Sequence, residues 1–290
     1  MIISTQTLFL AKQYGLVKSV EMLADAGFDA IDISMDDVSS PIFGEGYREF
    51  AEQLLAVARE RGVKFIQAHA PFGGGYNNYI NNLLPYMPRA FEFCSLVGIR
   101  NIVVHPPQPM RYYGNEQKIF DMSIEFYKSL APVAKQYGVR IAIENMWQRH
   151  PINQNIVDDI IADPAELARM YDTLADPETF TVCLDIGHVA LCGREPEDAV
   201  RTVGGERLGC LHVHDVDYRS DLHTLPGVSK INWQRVCEAL AEVDYKGAFN
   251  LEADNFYLGF IPEQHAIAAK FMADISRAFA NKIEELKAAK

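Results

Sequence analysis

Short runs of apolar, β-branched residues alternate along the chain with longer segments in which apolar residues recur at helical spacing. The alternation repeats about eight times and is typical of a parallel sheet covered by helices. It predicts strands over residues 2–8, 30–35, 64–69, 101–105, 140–144, 181–185, 208–214 and 248–252. It predicts helices over residues 17–26, 47–61, 79–97, 117–137, 164–174, 195–203, 233–243 and 262–287.

Four glycines support these boundaries. Gly27, Gly62, Gly98 and Gly138 each follow a predicted helix directly before a strand, where a left-handed residue ends the helix. Eight strand–helix units in 290 residues favour an α/β fold of the (β/α)8, or TIM barrel, type. A doubly wound open sheet is the alternative. Because no linker or shift of composition divides the chain, residues 1–290 are predicted to form a single domain.

Composition and charge narrow the classes of partner. The chain has 49% hydrophobic and 23% charged residues, as an ordinary globular protein does. Its 27 Lys and Arg against 39 Asp and Glu give a net charge of -12, which opposes binding to nucleic acid or to an anionic membrane. No apolar run reaches the roughly 20 residues that span a bilayer, and the five cysteines are scattered. We therefore expect a cytoplasmic protein without nucleic-acid or membrane partners, and its acidic surface is compatible with a homo-oligomer.

Six predicted strands end in an ionisable side chain followed by turn-like sequence. These residues are His69, His105, Glu144, Asp185, His212 and Glu252. In a barrel, the carboxyl ends of the strands meet on the face that carries the active site. Glutamate and histidine have no particular role in turns, so this placement favours a functional site over six solvated strand ends.

Two local clusters add weight to this prediction. Asp185 ends a strand and His188 returns from the next turn to the same face, although a helix-capping aspartate beside a surface histidine is the plain alternative. His212 and His214 alternate on one face of a strand. A single strand histidine is commonly a satisfied core residue, but two beside an aspartate are difficult to bury without ligands or carboxylate partners.

Other candidates lie outside the strand ends. Asp221 and His223 form an Asp-x-His pair in the loop after the seventh strand, which is equally compatible with a free loop. Trp147 closely follows Glu144 and is either an apolar wall of a site or a core residue. The candidates offer carboxylates and imidazoles without thiolates, a donor set that suits Mn²⁺, Mg²⁺, Zn²⁺, Co²⁺ or Fe²⁺.

Taken in order, the strings around these residues resemble the xylose isomerase-like barrel superfamily of sugar isomerases and epimerases, to which the apurinic-site endonucleases are related. The strings are Ala68-His69-Ala70-Pro71, Val104-His105-Pro106, Ile143-Glu144-Asn145, Leu184-Asp185-Ile186-Gly187-His188, Leu211-His212-Val213-His214-Asp215 and Leu251-Glu252. The resemblance implies a divalent metal cofactor, Mn, Co, Mg or Zn, at the barrel mouth. Its implied ligands are Glu144, Asp185, His212 and Glu252.

The resemblance also implies roles for residues around that metal. His188 is similar to a substrate-contacting imidazole of the epimerases, and we predict that His69, His105 and Trp147 line the same substrate site. In the endonuclease branch a multi-metal site is completed by residues similar to His69, His105, His188, Asp221 and His223. Asp221 and His223 are therefore candidates for an additional metal.

The implied activity is that of a metal-dependent sugar isomerase or epimerase. Glu144 and Glu252 would remove and return a proton next to the carbonyl of a ketose or inosose-like substrate, through an enediolate. An endonuclease-like multi-metal phosphodiesterase and a partner-dependent lyase or dehydratase subunit are the alternatives. Tyr218, followed by Arg219, stands where the epimerases have a substrate-contacting arginine, so their substrate cannot be carried over. Because no Lys/Arg cluster resembles a phosphate cradle, a neutral sugar is favoured.

Overall fold

The computed structural model describes residues 1–73 and 75–290, in which eight parallel strands form one sheet and two further strands form a hairpin. The strands are β1 (Ile3–Gln6), β2 (Ala30–Ser34), β3 (Lys64–His69), β4 (Asn101–Val104), β5 (Arg140–Glu144), β6 (Trp147–Arg149), β7 (Ile156–Asp158), β8 (Phe180–Asp185), β9 (Leu208–His212) and β10 (Phe249–Leu251). The sheet order is β10-β1-β2-β3-β4-β5-β8-β9, and β6 pairs antiparallel with β7.

The sheet closes into a barrel between its first and last strands. β1 pairs with β10 at one end of the order. Beyond β9, a parallel bridge joins Val213 to Leu251. Val213 N donates to Asn250 O at 2.9 Å, and Glu252 N donates to Val213 O at 3.0 Å. The predicted TIM barrel is thereby confirmed, and the open sheet is excluded.

Helices cover the outside of the barrel. They are α1 (Leu8–Tyr14), α2 (Leu16–Ala26), α3 (Tyr47–Arg61), α4 (Gly75–Asn78), α5 (Met87–Val97), α6 (Glu116–Tyr137), α7 (Pro164–Leu174), α8 (Ile186–Leu191), α9 (Pro196–Val203), α10 (Trp233–Glu242) and α11 (His265–Ala288). Short 3-10 turns lie at Pro41–Phe43, Leu84–Tyr86, Asp254–Gly259 and Pro262–Gln264, and a π turn at Tyr79–Leu83. Among the residues described here, no helix has the length and apolar character needed to cross a membrane.

The four glycines that were predicted to end helices do so in the structure. Gly27, Gly62, Gly98 and Gly138 follow α2, α3, α5 and α6 with φ of 104°, 72°, 80° and 66°, the left-handed region in which a side chain is strained. Each glycine lies just before a barrel strand, so the helix ends where the chain must turn back into the sheet.

Some predicted boundaries are wrong, for local reasons. The strand predicted over 2–8 ends at Gln6 because a helix begins at Leu8. The helix predicted over 79–97 becomes an α-helix only from Met87, after the π and 3-10 turns. Pro85 lies in this irregular stretch and has no N–H to donate to a regular helical ladder.

Two layers of packing support the barrel. The large core lies between the strands and the surrounding helices, and a small apolar cluster of Val103, Ala142, Cys183 and Cys210 forms separately. The five cysteines are free thiols. Polar side chains are also buried on the strands, at Ser4, Asp32, Gln67 and Asn250. Buried polar groups are costly unless paired, so these four residues indicate a specialised region inside the barrel.

Candidate metal centre

Four of the six strand-end residues converge on one point of the barrel mouth. Glu144, Asp185 and His212 are the last residues of β5, β8 and β9, and Glu252 directly follows β10. One donor atom from each of the four lies within 4.8 Å of the donor atoms of the other three. All four residues are buried, and Glu252, whose side chain is 12% exposed, is the one that borders the cavity. The closed sheet therefore brings together the four residues to which the resemblance gave a metal-binding role.

The two glutamates meet the same edge of the His212 ring. His212 Nδ1 lies 2.6 Å from Glu144 Oε1 and 3.0 Å from Glu252 Oε2. The buried oxygens Glu144 Oε2 and Glu252 Oε2 have no hydrogen bond of acceptable geometry from the described residues. Buried carboxylate oxygens without such partners are costly unless a cation satisfies them. Three carboxylates and an imidazole at this spacing fit a divalent metal ion.

Asp185 is held in place from both sides of its backbone. Asp185 N donates to Asn145 Oδ1 at 2.8 Å, and Asn145 Nδ2 donates to Asp185 O at 3.0 Å. Its side chain caps α8, where Oδ1 accepts from His188 N at 2.6 Å. Gly187 is required in this turn, because a Cβ there would lie 2.1 Å from the His214 ring. The Asp-Ile-Gly-His string thus fixes Asp185 and turns His188 back towards the mouth.

Electrostatics keep the two glutamates ionised. Burial opposes the charged form of Glu144, but His212 and His105 outweigh it and hold its pKa well below the ordinary value. The pKa of Glu252 is likewise held low against burial, first by His212 and then by His223. The pKa of His212 is well above its ordinary value despite burial, because Cys183 and then the carboxylates of Glu252 and Glu144 favour the protonated ring. A metal ion bound at Nδ1 would therefore compete with a proton for His212.

A second group of donors shares Glu144. His105 Nε2 lies 2.8 Å from Glu144 Oε2, and His69 Nε2 lies 3.5 Å from the same oxygen. The two Nε2 atoms are 3.0 Å apart. His69 Nδ1 donates to the carbonyl oxygen of Ala70 at 2.9 Å, which directs Nε2 towards Glu144 and His105. The arrangement places two imidazoles and a carboxylate within metal-binding distance of one another.

A third group lies on the other side of the centre. It consists of His188, His214, Asp221 and His223, whose donor atoms also lie within 4.8 Å of one another. His223 Nε2 lies 3.1 Å from Asp221 Oδ1. His188 Nδ1 and His223 Nδ1 donate to the carbonyl oxygens of Asn145 and Glu252, each at 2.9 Å. As at His69, a backbone acceptor for Nδ1 directs Nε2 towards the other donors of the group.

The loop between β9 and α10 carries Asp221 and His223, and one buried aspartate anchors it. The Asp215 carboxylate accepts hydrogen bonds from Gly227 N, Ser229 N and Ile231 N at 2.9, 3.0 and 3.1 Å. It also accepts from its neighbour Val216 N and from Trp233 Nε1, both at 2.9 Å. Asp215 therefore acts as the structural hub of this loop.

A cavity of about 800 Å³ opens above the centre. Its lining includes all but three of the predicted site residues: His105, Glu144, Trp147, His188, Asp221, His223 and Glu252. His69, Asp185 and His212 are buried beneath it. Trp147, on β6, is half-buried and forms part of the wall together with Phe72 and Met110. The mixture of apolar wall and polar floor is typical of a small-molecule site.

Sequence reasoning missed some residues of this region. It noted His214 without a ligand role, yet His214 Nε2 lies 3.1 Å from Asp185 Oδ1 and its ring stacks on His223 with centroids 4.1 Å apart. It also missed Asp32, Gln67 and Asn250. Each stands in the middle of an apolar strand, a position that sequence reasoning could have recognised as facing the inside of the barrel.

Comparison with known proteins gives consistent matches. The sequence signature of the family described as xylose isomerase-like TIM barrel matches residues 20–275. An uncharacterised protein of Methanocaldococcus jannaschii is 27% identical over 253 residues, which cover 83% of this chain and 80% of that protein. A probable ketose 3-epimerase of Synechocystis sp. is 24% identical over 241 residues, which cover 79% of this chain and 75% of that protein.

Solved structures share the fold over nearly the whole chain. A D-tagatose 3-epimerase-like protein superposes with a TM-score of 0.75 at 21% identity, over 98% of this chain and 99% of that chain. The IolI protein with a bound zinc atom superposes with a TM-score of 0.71 at 18% identity, over 98% of each chain. At these identities the likeness establishes the barrel and its strand order.

Proposed function

Because the chain belongs to the xylose isomerase-like TIM barrel family, we propose that it is a divalent-metal-dependent sugar isomerase or epimerase. The observation that carries the proposal is the convergence of Glu144, Asp185, His212 and Glu252, whose donor atoms lie within 4.8 Å of one another beneath an open cavity. The relatives named as ketose or tagatose 3-epimerases support the same reaction class.

The residues present suit proton transfer next to a carbonyl. A bound cation would supply positive charge that stabilises the oxygen on which negative charge develops. Glu144 and Glu252 are adjacent carboxylates with lowered pKa values, so one can take a proton from substrate. The other can return a proton after it has itself taken one from solvent, which the open cavity admits. Gln6 Nε2 donates to Glu252 Oε1 at 2.8 Å, which fixes this carboxylate with Oε2 facing His212.

The lining of the cavity favours a neutral sugar or polyol-derived ketone. Arg149 is the only Lys or Arg among the lining residues that the structure describes, whereas Asp159, Asp221 and Glu252 all line it. An anionic phosphate would meet these carboxylates with little cationic compensation. His188 and His223 present imidazoles that can orient substrate hydroxyls, and Trp147 and Phe72 limit the access of water.

Solvent deuterium exchange tests the proposal. The metal-free protein is supplied with Mn²⁺, Co²⁺, Mg²⁺ or Zn²⁺ in D₂O and incubated with a panel of free ketoses and inososes. We expect deuterium at a carbon adjacent to the carbonyl of at least one substrate, and no incorporation after chelation. A protein that binds one equivalent of metal and exchanges no proton in any compound of the panel would contradict the proposed reaction.

A second candidate is an endonuclease-like multi-metal phosphodiesterase. It is favoured by the two further donor groups, His69-His105-Glu144 and His188-His214-Asp221-His223, which flank the first centre. The net charge of -12 opposes it, because gripping a nucleic acid requires several cations on one face. Metal analysis and abasic DNA separate the two candidates: about three metal ions per chain with salt-sensitive cleavage supports the phosphodiesterase, and one metal ion with no binding at low salt removes it.

A further inference from the structure

A polar layer lies inside the barrel on the far side of His212 from the two glutamates. Asp32, in the middle of β2, is fully buried. Its Oδ2 accepts from Gln67 Nε2 at 2.9 Å and from Asn250 Nδ2 at 2.8 Å. Ser4 Oγ in turn donates to Asn250 Oδ1 at 2.6 Å. This network fixes the Asp32 carboxylate within the sheet.

The Asp32 carboxylate lacks a strong cationic partner. Gln67 and Asn250 are neutral, and among the described residues His212 is the only cation-capable side chain within 4.0 Å of the Asp32 oxygens. Asp32 Oδ2 lies 3.8 Å from His212 Nε2, and Asp32 Oδ1 has no hydrogen-bond partner among the described residues. A buried carboxylate without a hydrogen-bonded cation lowers the stability of the fold relative to an apolar residue of similar size. Packing alone therefore does not explain why an aspartate stands at position 32.

His212 differs from the other histidines of the mouth. His69, His188 and His223 each donate from Nδ1 to a backbone carbonyl oxygen, so Nε2 is the nitrogen that each presents to the site. At His212 the edge that meets Glu144 and Glu252 is Nδ1, so the opposite tautomer, with its proton on Nε2, is the one that can bind a metal. Within the described residues, Nε2 of His212 has no hydrogen-bond acceptor.

We propose that Asp32 is a positioning residue for His212: its negative charge, held by Gln67 and Asn250, favours the proton on Nε2 and thereby frees Nδ1 for the cation. The inference rests on the proposed function, since it concerns the same metal. A carboxylate behind a metal-binding histidine commonly acts in this way, fixing the tautomer and raising the basicity of the ligand. The low dielectric of the interior lets the charge act across 3.8 Å.

The test is metal affinity in Asp32→Asn, which keeps the size of the side chain and removes its charge. Titration of metal-free protein with Mn²⁺ or Zn²⁺ should give an affinity about 10- to 100-fold below that of the wild type. The melting temperature of the metal-free variant should equal or exceed that of the wild type, because an unpaired buried charge has been removed. A purely structural role for Asp32 predicts the reverse pattern, a lower melting temperature with unchanged metal affinity.

Two further variants keep the test decisive. Glu197→Gln makes the same change at a buried acid on α9, and its metal affinity should match the wild type. Asn250→Ala removes one of the two donors to Asp32, and should weaken metal binding several-fold even if Asp32→Asn fails to fold. Nitrogen-15 spectra of the metal-free protein, recorded at a pH high enough to neutralise His212, should show its remaining proton moving from Nε2 towards Nδ1 in Asp32→Asn.

The outcomes separate this inference from the proposed function. If the wild type binds one equivalent of metal and Asp32→Asn binds it with the same affinity and the same His212 tautomer, the inference is wrong and the proposed function stands. If the wild type binds neither Mn²⁺ nor Zn²⁺, the proposed function fails and the role of Asp32 fails with it.

Discussion

Glu144 and Glu252 have similar charges but different surroundings. Glu144 faces two further imidazoles, with His105 Nε2 at 2.8 Å from its Oε2. Glu252 is held by an amide, Gln6 Nε2, and borders the cavity. Each residue has one oxygen beside His212. Either carboxylate can therefore bind a cation or transfer a proton. Substitution of each glutamate tests its part in proton transfer.

Replacement of either glutamate should abolish most proton transfer. Glu144→Gln and Glu252→Gln remove a base while keeping the size of the side chain, and we expect the rate of deuterium incorporation to fall by about 10²- to 10⁴-fold. Nuclear magnetic resonance of the ketose in D₂O measures the rate. Glu197→Gln should retain the wild-type rate. A rate within about twofold of the wild type in both active-site variants would refute their catalytic role.

Asp254 should make stability depend on pH. It is half-buried, and desolvation of its carboxylate raises its pKa to about 7 from an ordinary value of 3.8. Its contribution to stability is therefore complete below about pH 4 and is lost as the pH rises through 7. Asp254→Asn should remove this loss.

Urea unfolding with chelator present measures the effect. Relative to the wild type, Asp254→Asn should gain about 2 to 3 kcal/mol between pH 5 and pH 8. A difference between the two proteins that is the same at both pH values would show that Asp254 does not titrate with the raised pKa.

At the scale of elements, regular strands were predictable and irregular connections were not. The strands ending in Glu144, Asp185 and His212 could be predicted because apolar runs stop abruptly at an ionisable residue. The β6–β7 hairpin was missed because each of its strands has three residues, too few to show a period of two. Helix α8 was missed because its six residues are all buried and carry no amphipathic pattern.

The sequence predicted which face of the barrel carries the site, but not the contacts among the residues of the site. Strand ends indicated the correct face of the barrel, and the resemblance indicated which residues share a metal. The tautomers of His69, His188 and His223 depend on backbone carbonyl oxygens that only the folded chain brings near. Asp32 contacts its neighbours across 35 and 218 residues of sequence, separations for which local patterns contain no signal.

Removal of the Asp215 carboxylate should destabilise the loop between β9 and α10. Asp215→Ala leaves Trp233 Nε1 and several backbone N–H groups without their buried acceptor, so we expect a loss of at least about 3 kcal/mol in unfolding free energy. The loop over residues 217–230 should also become susceptible to protease. Asp217→Ala removes a half-buried carboxylate that accepts hydrogen bonds from Arg219 N and Ser220 N, and should cost less than about 1 kcal/mol. Equal effects of the two substitutions would contradict the role of Asp215.

At the scale of the whole molecule, barrel closure is what creates the centre. Glu144 and His212 are 68 residues apart in the chain, yet their side chains lie 2.6 Å apart. The bridge that closes the barrel joins Val213 to Leu251, the residues next to His212 and Glu252. The last strand pairing of the barrel therefore also positions two of the candidate metal ligands. Metal binding and the stability of the closed barrel should therefore be coupled.

Metal should stabilise the folded chain in a pH-dependent way. At a metal concentration 100 times its dissociation constant, we expect about 2.7 kcal/mol of added stability, and a melting temperature several degrees higher than with chelator. The effect should weaken as the pH falls, because the raised pKa of His212 makes protons compete with the metal. Calorimetric scans with and without Mn²⁺ at two pH values measure it, and equal melting temperatures with and without metal would contradict the coupling.

The central claim is that one divalent cation is held jointly by Glu144, Asp185, His212 and Glu252. Anomalous diffraction from crystals grown with Mn²⁺ or Zn²⁺, recorded at the absorption edge of the metal, tests it most directly. We predict that the strongest anomalous peak lies about 2.0 to 2.3 Å from an oxygen of each acid and from His212 Nδ1. A strongest peak between His188, Asp221 and His223, or no peak near His212, would contradict the account.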